Sequence, residues 1–266
     1  MVKTLKRYIY LYFYMFKLNF KIKVEYKADF VISFLANIPI QIIEFLFIWV
    51  VFQNISSLAG WTFYEMALIY GIMTCSKGVA ECFFDGFYDV SKLYMKTGAF
   101  DNIMVQPINS LFNVIAKSFF VGGLGDLAIG TTISVIAITN LNIPFGIPQI
   151  IFTLISIILG GLIFGGLMTI ATSSSFWVVE SLDILWTTYS LHQLGLYPIN
   201  LYNIVIKSLV IFVFPYAFAS YYPVTLLLGR REGNIAFLTP IIVILIWAIA
   251  IKTWKMGVKN YGSTGS

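Results

Sequence analysis

Charge is scarce in this chain of 266 residues: Asp, Glu, Lys and Arg together make up 11%, against about a quarter in ordinary soluble domains. Hydrophobic residues make up 59%. Folding in water would leave much apolar surface uncovered, so lipid is the expected solvent. A nucleotide cradle is missing too. No Gly-x-x-x-x-Gly-Lys-Ser/Thr sequence occurs, nor any Gly-Lys pair, so any ATP-driven activity requires a second polypeptide. With His192 as the sole histidine, no two-histidine metal site can form within one chain, no Ser-His-Asp arrangement is suggested, and neither a metal nor a catalytic site is expected. Cys75 and Cys82 are the only cysteines. They lie about two turns apart on one apolar helix, where they cannot bridge. Internal repeats, low-complexity linkers and a separate soluble domain are absent, so a single transmembrane domain over 1–266 is expected. No small-residue cleavage site follows the basic, aromatic N-terminus, so no cleavable signal is expected, and 262–266 read equally as native or as a fusion remnant.

What is present is apolar length. A crossing needs about 20 apolar residues, and six stretches qualify: 30–52, 64–84, 111–139, 148–178, 201–218 and 237–252. The expected fold class is therefore all-α, a polytopic membrane protein with six transmembrane helices. Ahead of the first span, residues 1–28 mix Tyr and Phe with lysines and predict a helix lying in the membrane interface. Lys3, Lys6, Arg7, Lys17, Lys21, Lys23 and Lys27 supply seven of the 17 basic residues. Such a cluster suits nucleic acid, but spans follow at once, and the plainer alternative is the positive-inside rule. Connections 53–63 and 141–147 hold no Lys or Arg, whereas 85–110 holds Lys92 and Lys96 and the C-terminal tail holds Lys255 and Lys259. Both termini and 85–110 are thus expected in the cytoplasm, with the chain in the cytoplasmic membrane. Arg230 and Arg231 are the exception, partly offset by Glu232. The polar residues Glu180, Asp183 and His192 and the proline Pro198 make 177–200 a helix plus loop at the cytoplasmic face. Pro215 and Pro223 break 215–230 into a re-entrant helix pair on the outer side, its backbone buried in protein.

Ionisable residues inside spans are costly and point to function by default. Glu44, Lys77, Glu81 and Asp126 form a candidate translocation surface. Lys77 and Glu81 stand four apart and can pair across one helical turn, so buried structural pairs are the plainer alternative. Gly161 and Gly165 form a small-residue pair that lets helices approach closely. The segment 85–110 mixes charge with bulky apolar residues, which suits a short amphipathic helix offered either to lipid or to a groove on a partner.

Three ordered stretches carry a likeness to a known family: GAFDNIMVQPIN at 98–109, LYPINLY at 196–202 and FPYAFASYYPVTLLLGR at 214–230. Here the chain resembles the permeases of type-2 ABC transporters, in the six-span branch encoded as paired subunits beside an ATPase. It departs from the family pattern at Phe100, Gln106 and Ser110. The resemblance implies pairing with a second permease subunit and with an ATP-binding ABC subunit dimer that holds ATP and Mg, since this chain holds no cofactor. It implies that 85–110 is the helix that couples to the ATPase, with Tyr88, Leu93, Tyr94, Phe100, Asp101, Pro107 and Asn109 as coupling residues. It implies that Pro215, Tyr221, Tyr222 and Pro223 belong to an outer gate, and that cargo is amphiphilic, lipidic or antimicrobial-type. The expected partners are these subunits and the bilayer, not nucleic acid. A secondary transporter or channel, with Glu44 and Asp126 carrying protons, is the competing class. A lipid-modifying enzyme would need a catalytic cluster that the sequence does not offer.

Overall fold

The computed structural model describes residues 2–178 and 181–262, with side chains from Lys6 onward, and every regular element among them is helical. Helix α1 (Val2–Glu25) leads into α2 (Lys27–Ala36) and α3 (Ile38–Phe52). The last two form one apolar stretch interrupted at Asn37, because Pro39 has no N–H to continue the ladder. Helix α4 (Phe63–Phe84) starts from a capping box in which the Thr62 N–H donates to Glu65 Oε2 at 2.8 Å. It runs through Asp85 straight into α5 (Gly86–Asp89), a π-helical turn at Val90–Tyr94 and α6 (Met95–Thr97). Gly98, at φ +70°, ends that run in the left-handed conformation a glycine adopts without strain. Helix α7 (Asp101–Met104) follows, then α8 (Ser110–Lys117), capped by Asn109 Oδ1 accepting from the Phe112 N–H at 3.1 Å. Next come α9 (Gly122–Leu141), α10 (Ile147–Ser173) and α11 (Leu182–Ser190). After them lie α12 (Ile204–Ser208), α13 (Tyr221–Leu227) and α14 (Thr239–Asn260).

Among the described residues, five stretches are long and apolar enough to cross a membrane: Lys27–Phe52, Phe63–Phe84, Gly122–Leu141, Ile147–Phe176 and Arg231–Asn260. Helix α4 is the axis around which the others pack. It is the least apolar of the five, yet 83% of its apolar window is buried, so its charges face protein rather than lipid. Its seam with α9 is built on glycine. Gly71 lies against Gly130 and Gly78 against Gly123, in antiparallel register. A Cβ at Gly78 would sit 2.7 Å from the Gly123 carbonyl oxygen, and one at Gly130 would sit 2.7 Å from that of Gly71. Only backbone fits between these helices, and close backbone approach is how helices associate where no water drives them together. On the opposite flank, Gly160, Gly161 and Gly165 of α10 receive Ser76, Val79 and Phe84 of α4. The expected glycine pair on the fourth span is thus the α10–α4 contact.

The expected spans need three corrections. The third, 111–139, is not one helix: α8 stands apart and the long helix begins only at Gly122. Ser118 is extended, and its hydroxyl accepts from the Gly86 N–H at 2.8 Å, which ties the break to the start of α5. The fifth, 201–218, breaks at Pro215. Ile204–Val213 and Tyr216–Leu227 form a helical pair bent by 72°. The stretch 177–200, expected as a helix plus loop at the cytoplasmic face, contains the helix α11, but residues 182–200 climb alongside α4 instead of ending at that face. Trp186 meets Tyr88, Tyr189 meets Glu81, Gly195 meets Met73, and Asn200 Oδ1 accepts from the Tyr221 hydroxyl at 3.4 Å. Composition concealed this because Leu191–Leu196 and Ile199–Leu201 are tight 3₁₀ turns interrupted at Pro198. Glu180 and residues 263–266 lie outside the described residues.

Arg230 finds its compensation at the 53–63 end of the bundle. Its guanidinium donates to Glu65 Oε1 at 2.6 Å and lies 3.6 Å from the centre of the Trp61 ring. Glu232, expected to offset it, instead accepts from the Tyr221 hydroxyl at 2.7 Å.

Candidate functional site: a polar cleft joined to the 85–110 segment

A cleft of about 490 Å³ opens between α2–α3, α4 and the 182–196 strand of helical turns. Asn37, Gln41 and Glu44 form one wall, and Lys77 and Glu81 of α4 form its back. Trp186, Tyr189 and His192 face them, while Asp85, Tyr88 and Lys92 close the end nearest the 85–110 segment. The polar groups hold each other in place. Glu81 accepts from the Tyr189 hydroxyl and, at 2.9 Å, from Asn37 Nδ2. The Tyr70 hydroxyl bridges the Gln41 backbone oxygen at 2.7 Å and Glu44 Oε2 at 3.5 Å.

Three of the four expected translocation residues, Glu44, Lys77 and Glu81, therefore share one cleft. Asp126 does not line it. Its side chain is wholly buried behind α4, 3.0 Å from Lys77 Nζ. The expected Lys77–Glu81 pair is present at 3.9 Å but is the longer of the two. Lys77 is thus shared between a carboxylate in the cleft and one sealed in the core. The Asp126 partnership joins residues 49 apart in the chain, so local spacing could not reveal it.

The expected coupling segment is not one amphipathic helix. Gly98 and Pro107 divide it into short pieces with two kinds of surface. Leu93, Met104, Val105, Pro107 and Asn109 are exposed, with Val105 at 80%. Phe100 is fully buried against Phe176, Trp254 and Tyr261, so it anchors the segment rather than offering it. Tyr88 turns into the cleft against Trp186. Tyr94 is half-buried, and Asp101 heads α7. Near the other end, Tyr221 packs on Trp61, and Tyr222 and Pro223 are buried in α13, behind the chain break at Pro215.

A family model described as ABC-2 family transporter protein matches residues 38–265. The chain belongs to the ABC-2 transporter family. It is accordingly a membrane protein and the permease component of an ABC system, a class that works with an ATP-binding ABC component. No curated protein and no solved structure matches it.

Asp85 is one of the groups in the 85–110 segment with a displaced titration. Burial pushes its carboxyl up to about 7, with repulsion from Asp89 and Glu81 adding to the rise and Lys23 opposing it. The folded protein therefore holds a proton that the unfolded chain releases near pH 4. Stability contributed by that protonation is full below this lower value and is lost as pH rises through 7. Asp85→Asn should flatten the fall in thermal stability between about pH 4 and 7 and leave the variant more stable than the wild type at pH 8. An unchanged pH profile would show that Asp85 is ionised throughout.

Proposed function

We propose that this ABC-2 permease is the membrane-spanning half of an ATP-driven exporter in the cytoplasmic membrane. Both termini and 85–110 face the cytoplasm, α1 lies in the interface, and the 182–200 run makes a sixth crossing. The bent pair 204–227 dips in from the outer side as a gate containing Pro215, Tyr221, Tyr222 and Pro223. Two permease subunits pair, and an ATPase dimer holding ATP and Mg docks on 85–110. The cargo is an amphiphilic, lipidic or antimicrobial-type compound admitted through the polar cleft.

One observation carries this reading: the same short segment does two things. Residues 85–92 close the foot of the cleft with Asp85, Tyr88 and Lys92, while Leu93 and the 104–109 turn present an exposed apolar edge. A push on that edge reaches the cleft wall without crossing a flexible linker. The π-helical turn at Val90–Tyr94 sits at the junction, a local unwinding that recurs at functional sites. Alternating access needs two arrangements close in free energy, which nucleotide then biases.

Substituting Leu93→Asp or Val105→Asp should lower permease-stimulated ATP hydrolysis by about tenfold or more, the cost of losing an interface anchor. Yield and thermal stability should stay unchanged, because both side chains are exposed. Phe100→Ala should instead lower stability. Normal stimulated hydrolysis in both aspartate variants, or transport that persists in energised, ATP-depleted vesicles, would overturn the proposal; the second result would favour a carrier run on an ion gradient.

A further inference from the structure

The last turns of α14 carry a feature that the transport cycle does not use. Lys252, Lys255 and Lys259 line one face of the helix over a hollow of about 430 Å³. None of the three has an acidic partner among the described residues. Lys255 also borders a second hollow of about 320 Å³ between α8 and α14, floored by Leu111, Phe112, Ile115, Ile251 and Trp254. Its other polar lining residue is Asn109. The oxygen of that side chain is occupied in capping α8, so its amide N–H groups remain free to donate.

We propose that these two hollows form one site for an anionic phospholipid. Three ammonium groups and an amide donor match a phosphodiester, and the apolar floor matches the first part of an acyl chain. A zwitterionic headgroup fits less well, because no carboxylate lines either hollow to receive its cation. Inorganic phosphate would leave the floor of Phe112, Ile115 and Ile251 uncovered. Each lysine near an anionic lipid surface contributes a useful share of binding, so three together outweigh a single surface contact. Trp254 stands at the same level, its indole N–H donating to Ser110 Oγ at 3.1 Å and its ring against Phe87 and Phe100. A bound lipid would thus rest against the anchor of the 85–110 segment.

The test measures lipid retained by the purified full-length protein in detergent, by native mass spectrometry, with phosphatidylglycerol and phosphatidylcholine supplied in equal amounts. The wild type should retain phosphatidylglycerol in preference. A K252Q/K255Q/K259Q variant should bind it about tenfold or more weakly, down to the level of phosphatidylcholine. Removing the same charge from the interfacial helix α1, as K17Q/K21Q/K23Q, should lower retention much less. Millimolar inorganic phosphate should not displace the lipid. Equal retention of the two lipids, equal losses in the two triple variants, or displacement by phosphate would each overturn the assignment.

Discussion

Gly123→Val should leave almost no folded permease. The new Cβ would stand 2.6 Å from the Gly78 carbonyl oxygen and 2.8 Å from the Cys82 nitrogen, and both are backbone atoms that no rotamer change can move aside. Overpacking a tight core costs about 1–3 kcal/mol when side chains can give way; here the helices themselves must separate. Separation would also undo the Gly71–Gly130 contact one step along the same seam. Detergent-solubilised protein should lose its monodisperse size-exclusion peak, or show a Tm far below that of the wild type. Gly146→Ala, where the nearest atom to the new Cβ is a flexible Gln149 side-chain oxygen at 3.4 Å, should behave as the wild type. A monodisperse Gly123→Val protein of normal Tm would mean that α4 and α9 do not meet on these glycines.

Lys77→Met should be the most damaging change that alters no backbone contact. It leaves Asp126 wholly buried and without its cation 3.0 Å away. Breaking a buried pair from one side typically costs about 3–5 kcal/mol, because a charge is stranded in a medium that solvates it poorly. Asp126→Leu should cost less, since Lys77 still has Glu81 at 3.9 Å and an edge on the cleft. The double variant Lys77→Met/Asp126→Leu should be more stable than Lys77→Met alone, as expected where two residues share one interaction. Thermal unfolding of the four proteins in a double-mutant cycle reads this directly. Strictly additive losses would show that the two groups do not interact.

How much of this was legible in the sequence follows from the range of each interaction. Helices α4 and α10 were found nearly to the residue, because a long apolar run is a local signal. The polar residues at 44, 77 and 81 were legible as unusual for the same reason. The third span was placed too early. Asn113 and Lys117 of α8 are polar, but they point to Gln106, with Asn113 Nδ2 donating at 2.9 Å, a partner that local composition does not reveal. The helix within 182–200 was legible, but its path along α4 was not, because the turns after it lack helical periodicity and the run is held by tertiary contacts such as Tyr216 donating to the Thr188 carbonyl at 2.8 Å. The α4–α9 seam was half visible. Asp126 marked the α9 side as unusual, while Gly71, Gly78, Gly123 and Gly130 gained meaning only once their register was known. The family resemblance put Phe100 on a docking edge, and only the aromatic cluster around it shows that it points inward.

The absence of a hinge between α4 and the 85–94 turns has a mechanical consequence. Twenty-two residues of α4 span about 33 Å at 1.5 Å per residue, and its core packing leaves it little freedom to bend. A rod of that length that tilts by about 5° about its foot carries its far tip sideways by roughly 3 Å, about the width of a water molecule. Thr62 and Glu65 ride on that tip, with Arg230 clasped to Glu65. Small strokes delivered at one face of the bilayer would therefore arrive at the opposite face as a displacement large enough to part a sealed surface.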